Sequence, residues 1–405
     1  VGVAELAGFA PGSANELDRS NARRTLAVAS AAHALHDGYT DLIYVLLPIW
    51  QSEFALGYGM VAALRGLYAG AMAVFQIPAG RCAERWDGRL VLALGTVLAA
   101  VGYAMAGWSS GLIGLSLALG LSGAGSGTQH PIAAAAVSRA YGSAARAPLG
   151  TYNFSGDLGK AAIPALISVL LVFMPWRQSL WLMAALGLAT AAAIARFLPP
   201  LARGPAQAGE PAHSAPSAGR GGFPLLVTIG VLDTGVRMGL LTFLPFILKA
   251  KGAALPTVGL GLTLVFLGGA AGKFFCGWLG GRIGFLWTVG VTEAGTAVFI
   301  LAILATPLAL SLAALPLLGV MLNGTSSVLY GTVPELVPPD RTERGFALFY
   351  TGNIGSGALS PVLYGLFADS YGPTAAILAT AVTALGVLPL ALALARRLAV
   401  RPRIA

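Results

Sequence analysis

The chain holds 405 residues, 56% of them hydrophobic and 10% charged, with a mean hydropathy of +0.77 and a formal net charge of +9. That composition excludes a water-soluble globular domain and a disordered chain, and 54 glycines without a triplet period exclude collagen. Such a chain needs lipid as its solvent, and at roughly 20 residues per crossing of a hydrocarbon layer about 30 Å thick it predicts an all-α integral membrane protein.

Twelve apolar windows separated by polar breaks follow in chain order. A polar tail, 1–24, precedes the first window, 25–50, which carries His33, His36, Asp37, Tyr39 and Asp41. The second, 58–80, carries Arg65, and the third spans 90–108. The fourth, 111–138, contains His130 before Pro131; the fifth, 147–172, contains Tyr152, Asn153, Asp157 and Lys160; the sixth is 177–198. Residues 199–222, rich in Pro, Gly, Ala and Ser, read as a cytoplasmic linker. The second set begins with 223–249, which holds Asp233 and Arg237, followed by 257–279 with Lys273 and 285–306 with Glu293. The last three are 308–333 with Asn323, 345–368 with Asn353, and 372–395, before a tail over 396–405. The expected domains are therefore two six-helix bundles, 25–198 and 223–395.

Charge placement gives orientation. With the N-terminus in the cytoplasm, 18 of the 25 basic residues fall on the cytoplasmic side, three on the outer side and four inside helices. The positive-inside bias puts both termini in the cytoplasm and accounts for the basic balance without a nucleic-acid partner. Cys82 and Cys276 lack metal-ligand spacing, so neither a disulfide framework nor a zinc site is expected.

The two sets repeat at an offset of about 197 residues. Gly80 maps to Gly277 and Arg85 to Arg282, while Asp37 and Asp41 fall on Asp233 and Arg237. Parallel six-helix repeats place a substrate site between them near mid-membrane.

The loop Gly80-Arg-Cys-Ala-Glu84-Arg85-Trp-Asp-Gly88-Arg89 resembles the cytoplasmic loop of the major facilitator superfamily, with one residue inserted. Three segments resemble the fosmidomycin-resistance subfamily: His33-Ala-Leu-His-Asp37, Gly123-Ala-Gly-Ser-Gly127-Thr-Gln-His130-Pro131, and Gly352-Asn353-Ile-Gly355. This resemblance implies a monomeric transporter of the bacterial inner membrane that exports a small molecule by proton antiport, needing no cofactor beyond the proton gradient. It also implies that Gly80, Glu84, Arg85 and Arg89 form a conformational latch. One departure matters: Ser155-Gly-Asp157-Leu-Gly159-Lys160 puts two charges where the subfamily is neutral, which points to a polar substrate.

Charges at mid-membrane cost at least about 2.5 kcal/mol each and mark functional sites by default. At a rise of about 1.5 Å per residue, Asp37 sits about 18 Å into its helix, and Asp157 and Asp233 lie at similar depth. His33, Asp37 and Asp41 share one helical stripe. Asp233 with Arg237, and Asp157 with Lys160, are spaced as intrahelical pairs. The expected roles are proton coupling by Asp37, Asp41, Asp233 and His33, and substrate binding by Lys160, Asp157, Arg237 and Arg65. Tyr39, His130, Tyr152, Asn153 and Asn353 are expected as polar lining of the substrate site. Lys273 reads as snorkelling to the interface and Glu293 as structural. A transition-metal carrier would use His33, His36 and Asp37, although His36 points about 100° away from Asp37. Asp37, Asp41, Asp157 and Asp233 balance Arg65, Lys160, Arg237 and Lys273 to zero, which suits a zwitterion or an organic anion. Proton symport of an organic anion is the alternative to export.

Overall fold

The computed structural model describes residues 13–201, 222–338 and 342–399, which are helical apart from short connections. The helices are α1 Ser13–Glu53, α2 Tyr58–Arg85, α3 Gly88–Trp108, α4 Leu112–Ser126, α5 Gln129–Tyr141, α6 Arg146–Phe173 and α7 Trp176–Phe197. After the linker come α8 Gly222–Ala250, α9 Leu255–Ala305, α10 Leu308–Leu336, α11 Thr342–Tyr371 and α12 Pro373–Ala399. Most of the 199–222 linker and the end of the 396–405 tail lie outside the described residues.

Twelve helices match twelve windows only by compensation. The 111–138 window is split into α4 and α5. Pro131 lacks the N–H that an unbroken helix would use, so it is tolerated only in the first turn of a new one, which starts at Gln129. Conversely, α9 covers two windows. Its 51 residues would run about 76 Å if straight, more than twice the membrane, and the chain folds back at Gly284, where φ 80° and ψ 173° suit only glycine. Among the described residues nine helical stretches are long and apolar enough to cross a membrane. The 41-residue α1 starts well before its predicted window. Ala22, Thr25, Ala29 and Ala32 continue a buried stripe at helical spacing, while Arg19, Arg23 and Arg24 on the other face depress the hydropathy.

Helices α1–α7 form one bundle and α8–α12 the other. Within them α1 packs on α6, α3 on α4 and α7, α8 on α11 and α12, and α9 on α10. Large apolar side chains such as Ile113, Phe173, Val298 and Val382 point outward, as a lipid-facing rim requires. The bundles meet along α2 with α11 and α6 with α9.

The meeting is lopsided. At the end where α2 begins and α11 finishes, Asp369 accepts hydrogen bonds from the N–H groups of Tyr58 (2.5 Å) and Gly59 (3.0 Å), capping α2 from the opposite bundle. There a Cβ on Gly365 would lie 2.7 Å from the Tyr58 carbonyl, so only glycine allows this approach. Further along, Thr263 donates to the Ala161 carbonyl across the α6–α9 contact at 2.7 Å. Beyond residue 70 most of α2 is exposed or half-buried, as are Leu348 and Tyr350 near the start of α11, so the bundles part at that end. Asp369→Ala is expected to release a cap worth about 1 kcal/mol and to shift the closed-to-open ratio at the capped end by about fivefold. Spin labels on the exposed Ser52 and Tyr371 would register this as growth of a longer-distance population; an unchanged distribution contradicts it.

Candidate functional site

A cavity of ≈ 280 Å³ lies between the bundles, and six of its helices contribute charge or imidazole: α1 (Asp37, Asp41), α2 (Arg65), α5 (His130), α6 (Asp157, Lys160), α8 (Arg237) and α9 (Lys273). Apolar walls come from Met72, Met238, Leu241 and Phe266. This mixture and size suit a small molecule. A second cavity of ≈ 400 Å³ adjoins it past His33, Asn153, Phe154 and Phe274.

Local sequence explains the convergence. Helical spacing lines up His33, Asp37 and Asp41 on one stripe of α1 facing the cavity wall. The restart of the chain at α5 turns His130 toward that stripe, with Nε2 3.7 Å from Asp37 Oδ1. Gly159 lets α6 press on α1 at Ala34, which brings Lys160 Nζ to 3.1 Å from Asp37 Oδ2.

Of the two intrahelical pairs expected from spacing, Asp157–Lys160 forms, and closer partners from other helices stand beside it. Lys160 is 3.8 Å from Asp157 but closer to Asp37. Asp157 instead takes both oxygens to Lys273 Nζ, at 2.6 and 2.8 Å. Lys273 therefore does not snorkel to the interface; it crosses from α9 to α6 and joins the two bundles at the cavity. Arg65 lies 3.9 Å from Asp41 and over the Tyr44 ring, and its Nε and Nη1 are buried without a hydrogen-bond partner. Among the described residues no ion pair joins Asp233 to Arg237: Asp233 is buried against Glu293, outside the cavity lining. Arg237 keeps a 3.4 Å bond from Nη1 to Asn323 Oδ1, and its Nε has no partner.

Removing Asp233 from the lining changes the charge balance. Three carboxylates, Asp37, Asp41 and Asp157, face four cations, Arg65, Lys160, Arg237 and Lys273. The cavity carries one excess positive charge instead of the expected zero, and Arg237 is the cation left without a carboxylate.

His33 supplies a proton-handling geometry. Its Nδ1 lies 2.8 Å from the Tyr152 carbonyl, which can only accept, so Nδ1 carries a hydrogen. Nε2 then faces Asp37 Oδ2 at 3.4 Å, with a lone pair toward a carboxylate unless a proton lies on one of them. Stacking on Tyr152, with centroids 4.1 Å apart, fixes the ring in that direction.

The remaining expected residues scatter. His36 is held by Ser126 (3.1 Å) and Thr96 (3.0 Å) away from Asp37, so the metal set His33, His36, Asp37 does not form. His130 takes its place: ligand atoms of His33, Asp37 and His130 lie within 4.8 Å of one another, but the Lys160 ammonium already occupies the Asp37 carboxylate. Tyr39 is packed in the first bundle, donating its hydroxyl to the Met183 carbonyl, and does not line the cavity. Asn353 does line it, with Oδ1 unpartnered, and Asn153 lines the adjoining cavity. In the expected latch, Glu84 and Arg85 are exposed and unpaired among the described residues. Asp87, not Glu84, is the working acid of this loop. It accepts from the Arg89 and Leu201 N–H groups at 2.9 and 3.1 Å and pairs with the Arg89 guanidinium at 3.3 Å, capping α3.

The family profile described as Major Facilitator Superfamily matches residues 29–232 and 225–404, one copy per bundle. The chain belongs to the major facilitator superfamily. Solved facilitators share its fold at low identity. A bacterial homolog of the human lysosomal transporter Spinster, in an inward-facing and unoccupied conformation, superposes with a TM-score of 0.79 at 15% identity, over 95% of this chain and 99% of that one. A mutant of the nucleoside transporter NupG gives 0.78 at 12%, over 92% and 99%. A POT family transporter in complex with 5-aminolevulinic acid gives 0.73 at 12%, over 93% and 96%. A comparison with curated protein sequences finds no match. As a major facilitator the chain is a multi-pass membrane protein and a secondary transporter, not an enzyme. The expected fold of twelve spans in two bundles is borne out; its subfamily is not resolved by these likenesses.

Proposed function

We propose that this facilitator couples protons to the movement of a small organic anion through the central cavity. The observation that carries this reading is Arg237: a cation on the cavity wall with no carboxylate partner, in a lining with one positive charge to spare. A substrate carboxylate or phosphonate seated there meets unpartnered donors, and burial makes such charge-assisted bonds strong.

Coupling follows from the Asp37–Lys160 pair. A proton arriving at Asp37, with His33 beside it, releases Lys160 to hold a second anionic group, so proton and anion enter together. When the anion leaves, Lys160 returns to Asp37 and expels the proton. This sense of coupling is symport. With the arginine-rich end in the cytoplasm, the Asp369-capped end faces outward and the cavity opens inward.

A second reading, export by antiport, is favoured by Asp37 itself. The ammonium of a zwitterion could take the place of Lys160 and the proton together, which is the exchange implied by the fosmidomycin-resistance resemblance. The charge surplus supports the anion reading over this one.

A thermal-shift screen of purified protein against phosphonates, mono- and dicarboxylates, amino-acid zwitterions and lipophilic cations tests the substrate class. Anions are expected to raise Tm, and to do so more as pH falls, because each proton taken up at Asp37 frees Lys160 for the anion. Stabilisation by lipophilic cations and by no anion contradicts the reading.

A further inference from the structure

Two buried acids of the second bundle take no part in this scheme. Glu293, on the second limb of α9, is 2% exposed, and Asp233, on α8, is 4% exposed. Their carboxyls interact directly, side chain to side chain, across the α8–α9 contact. Neither has a cation within ion-pair distance among the described residues; the neutral donor at close range is the Thr325 hydroxyl, 2.8 Å from Glu293 Oε1. Thr325 is itself linked to the Thr292 hydroxyl at 2.7 Å. From α10, Tyr330 also feels Asp233, and from α8 the charge of Arg237 acts on both acids. Among the described side chains, the charged ones of α11 and α12 sit near the helix ends, at Arg344, Asp369, Arg396 and Arg397.

Two carboxylates in contact and out of water cannot both stay ionised, and a hydrogen bond between them requires one proton. Arg237 stands one helical turn from Asp233, and it lines the cavity while Asp233 does not. We propose that Asp233 and Glu293 form a second proton-binding pair that senses, through Arg237, whether the cavity holds an anion. This rests on the anion-transport reading.

The electrostatics runs in one direction. With the cavity empty, the free Arg237 cation favours the pair that holds one shared proton and one negative charge. An anion on Arg237 cancels that cation, and the pair takes up a proton from the water that reaches the cavity. Release of the anion returns the proton. Proton and anion are again bound together, as at Asp37 and Lys160, but by groups of the opposite bundle.

Infrared spectra of the purified protein, titrated from mildly acidic to mildly alkaline pH, read the pair directly. Expected is a protonated-carboxyl C=O band that disappears in Glu293→Gln and, independently, in Asp233→Asn. In Arg237→Gln, which keeps both acids, the pH at which the band is lost should rise by about one unit or more. The proposal is overturned if neither acid variant removes a band, if Arg237→Gln leaves that pH unchanged, or if sodium at constant pH replaces the proton. These spectra need no substrate flux. A failed flux assay with these spectra intact would count against the transport reading and not against the pair.

Discussion

Asp37→Asn is expected to abolish accumulation of the anion against its gradient while leaving its downhill movement. With one proton per anion, a pH difference of one unit sustains about a tenfold concentration ratio, since each tenfold corresponds to roughly 1.4 kcal/mol. In the variant that ratio should fall to unity. The physical reason is the loss of the exchange at one atom. The substituted amide neither accepts a proton nor holds Lys160, so the cation stays available to the anion at every pH. Lys160 is not stranded, because Asp157 lies 3.8 Å away, and the variant should therefore fold. Lys160→Ala removes the other half of the switch. It should lose both accumulation and most binding, and leave Asp37 to His33 and His130 alone. A wild-type concentration ratio in Asp37→Asn would remove this residue from the coupling.

The second large effect is expected at Arg237. Arg237→Gln should weaken anion binding by roughly 10- to 100-fold, the loss of one charge-assisted contact of about 1.5–3 kcal/mol. Its thermal stability without ligand should change little, because among the described residues no carboxylate lies within ion-pair distance of this guanidinium. Lysine at this position keeps the charge and loses the planar fork, so affinity should recover only in part. The combination separates a binding cation from a structural one. A structural arginine would cost stability and leave the anion affinity intact. Binding isotherms and melting curves of the same preparations make the distinction.

How far the sequence carried these conclusions depended on which physical quantity it encodes. Span length and hydropathy are local, so the two helical bundles and the intramembrane charges of α1, α6 and α8 could be read before any coordinates. Pro131 is the residue that signals the break, but hydropathy alone read 111–138 as one span, and neither the break nor the turning of His130 toward Asp37 followed from it. Pairing depends on how each helix is rotated about its axis and on which helix lies opposite. Spacing alone therefore found Asp157 with Lys160, which the structure keeps at 3.8 Å, but missed the closer Lys273, and it matched Asp233 with Arg237 where packing set Asp233 against Glu293. Lys273 looked like an interfacial lysine because it lies near the end of its window; only the closeness of α6 and α9 shows that it crosses the bundle boundary. Glu293 read as structural, about two turns into its span, and its contact with Asp233 could not be read because that depends on which face of the second limb of α9 turns to α8. Asp87 had a readable signal, an acid immediately before Gly88 at a helix start, but similarity to a loop pattern drew attention to Glu84 instead.

The central claim is that proton and anion travel together because both change the partner of one cation. Reconstituted vesicles holding an alkaline lumen in an acidic bath, supplied with an anion that stabilises the purified protein, put it to the test directly. Uptake of the anion should exceed its equilibrium level in the alkaline lumen and be accompanied by a fall in lumenal pH. Collapse of the pH difference should end it. Accumulation in an acidic lumen instead, or uptake indifferent to the sign of the gradient, would contradict the account.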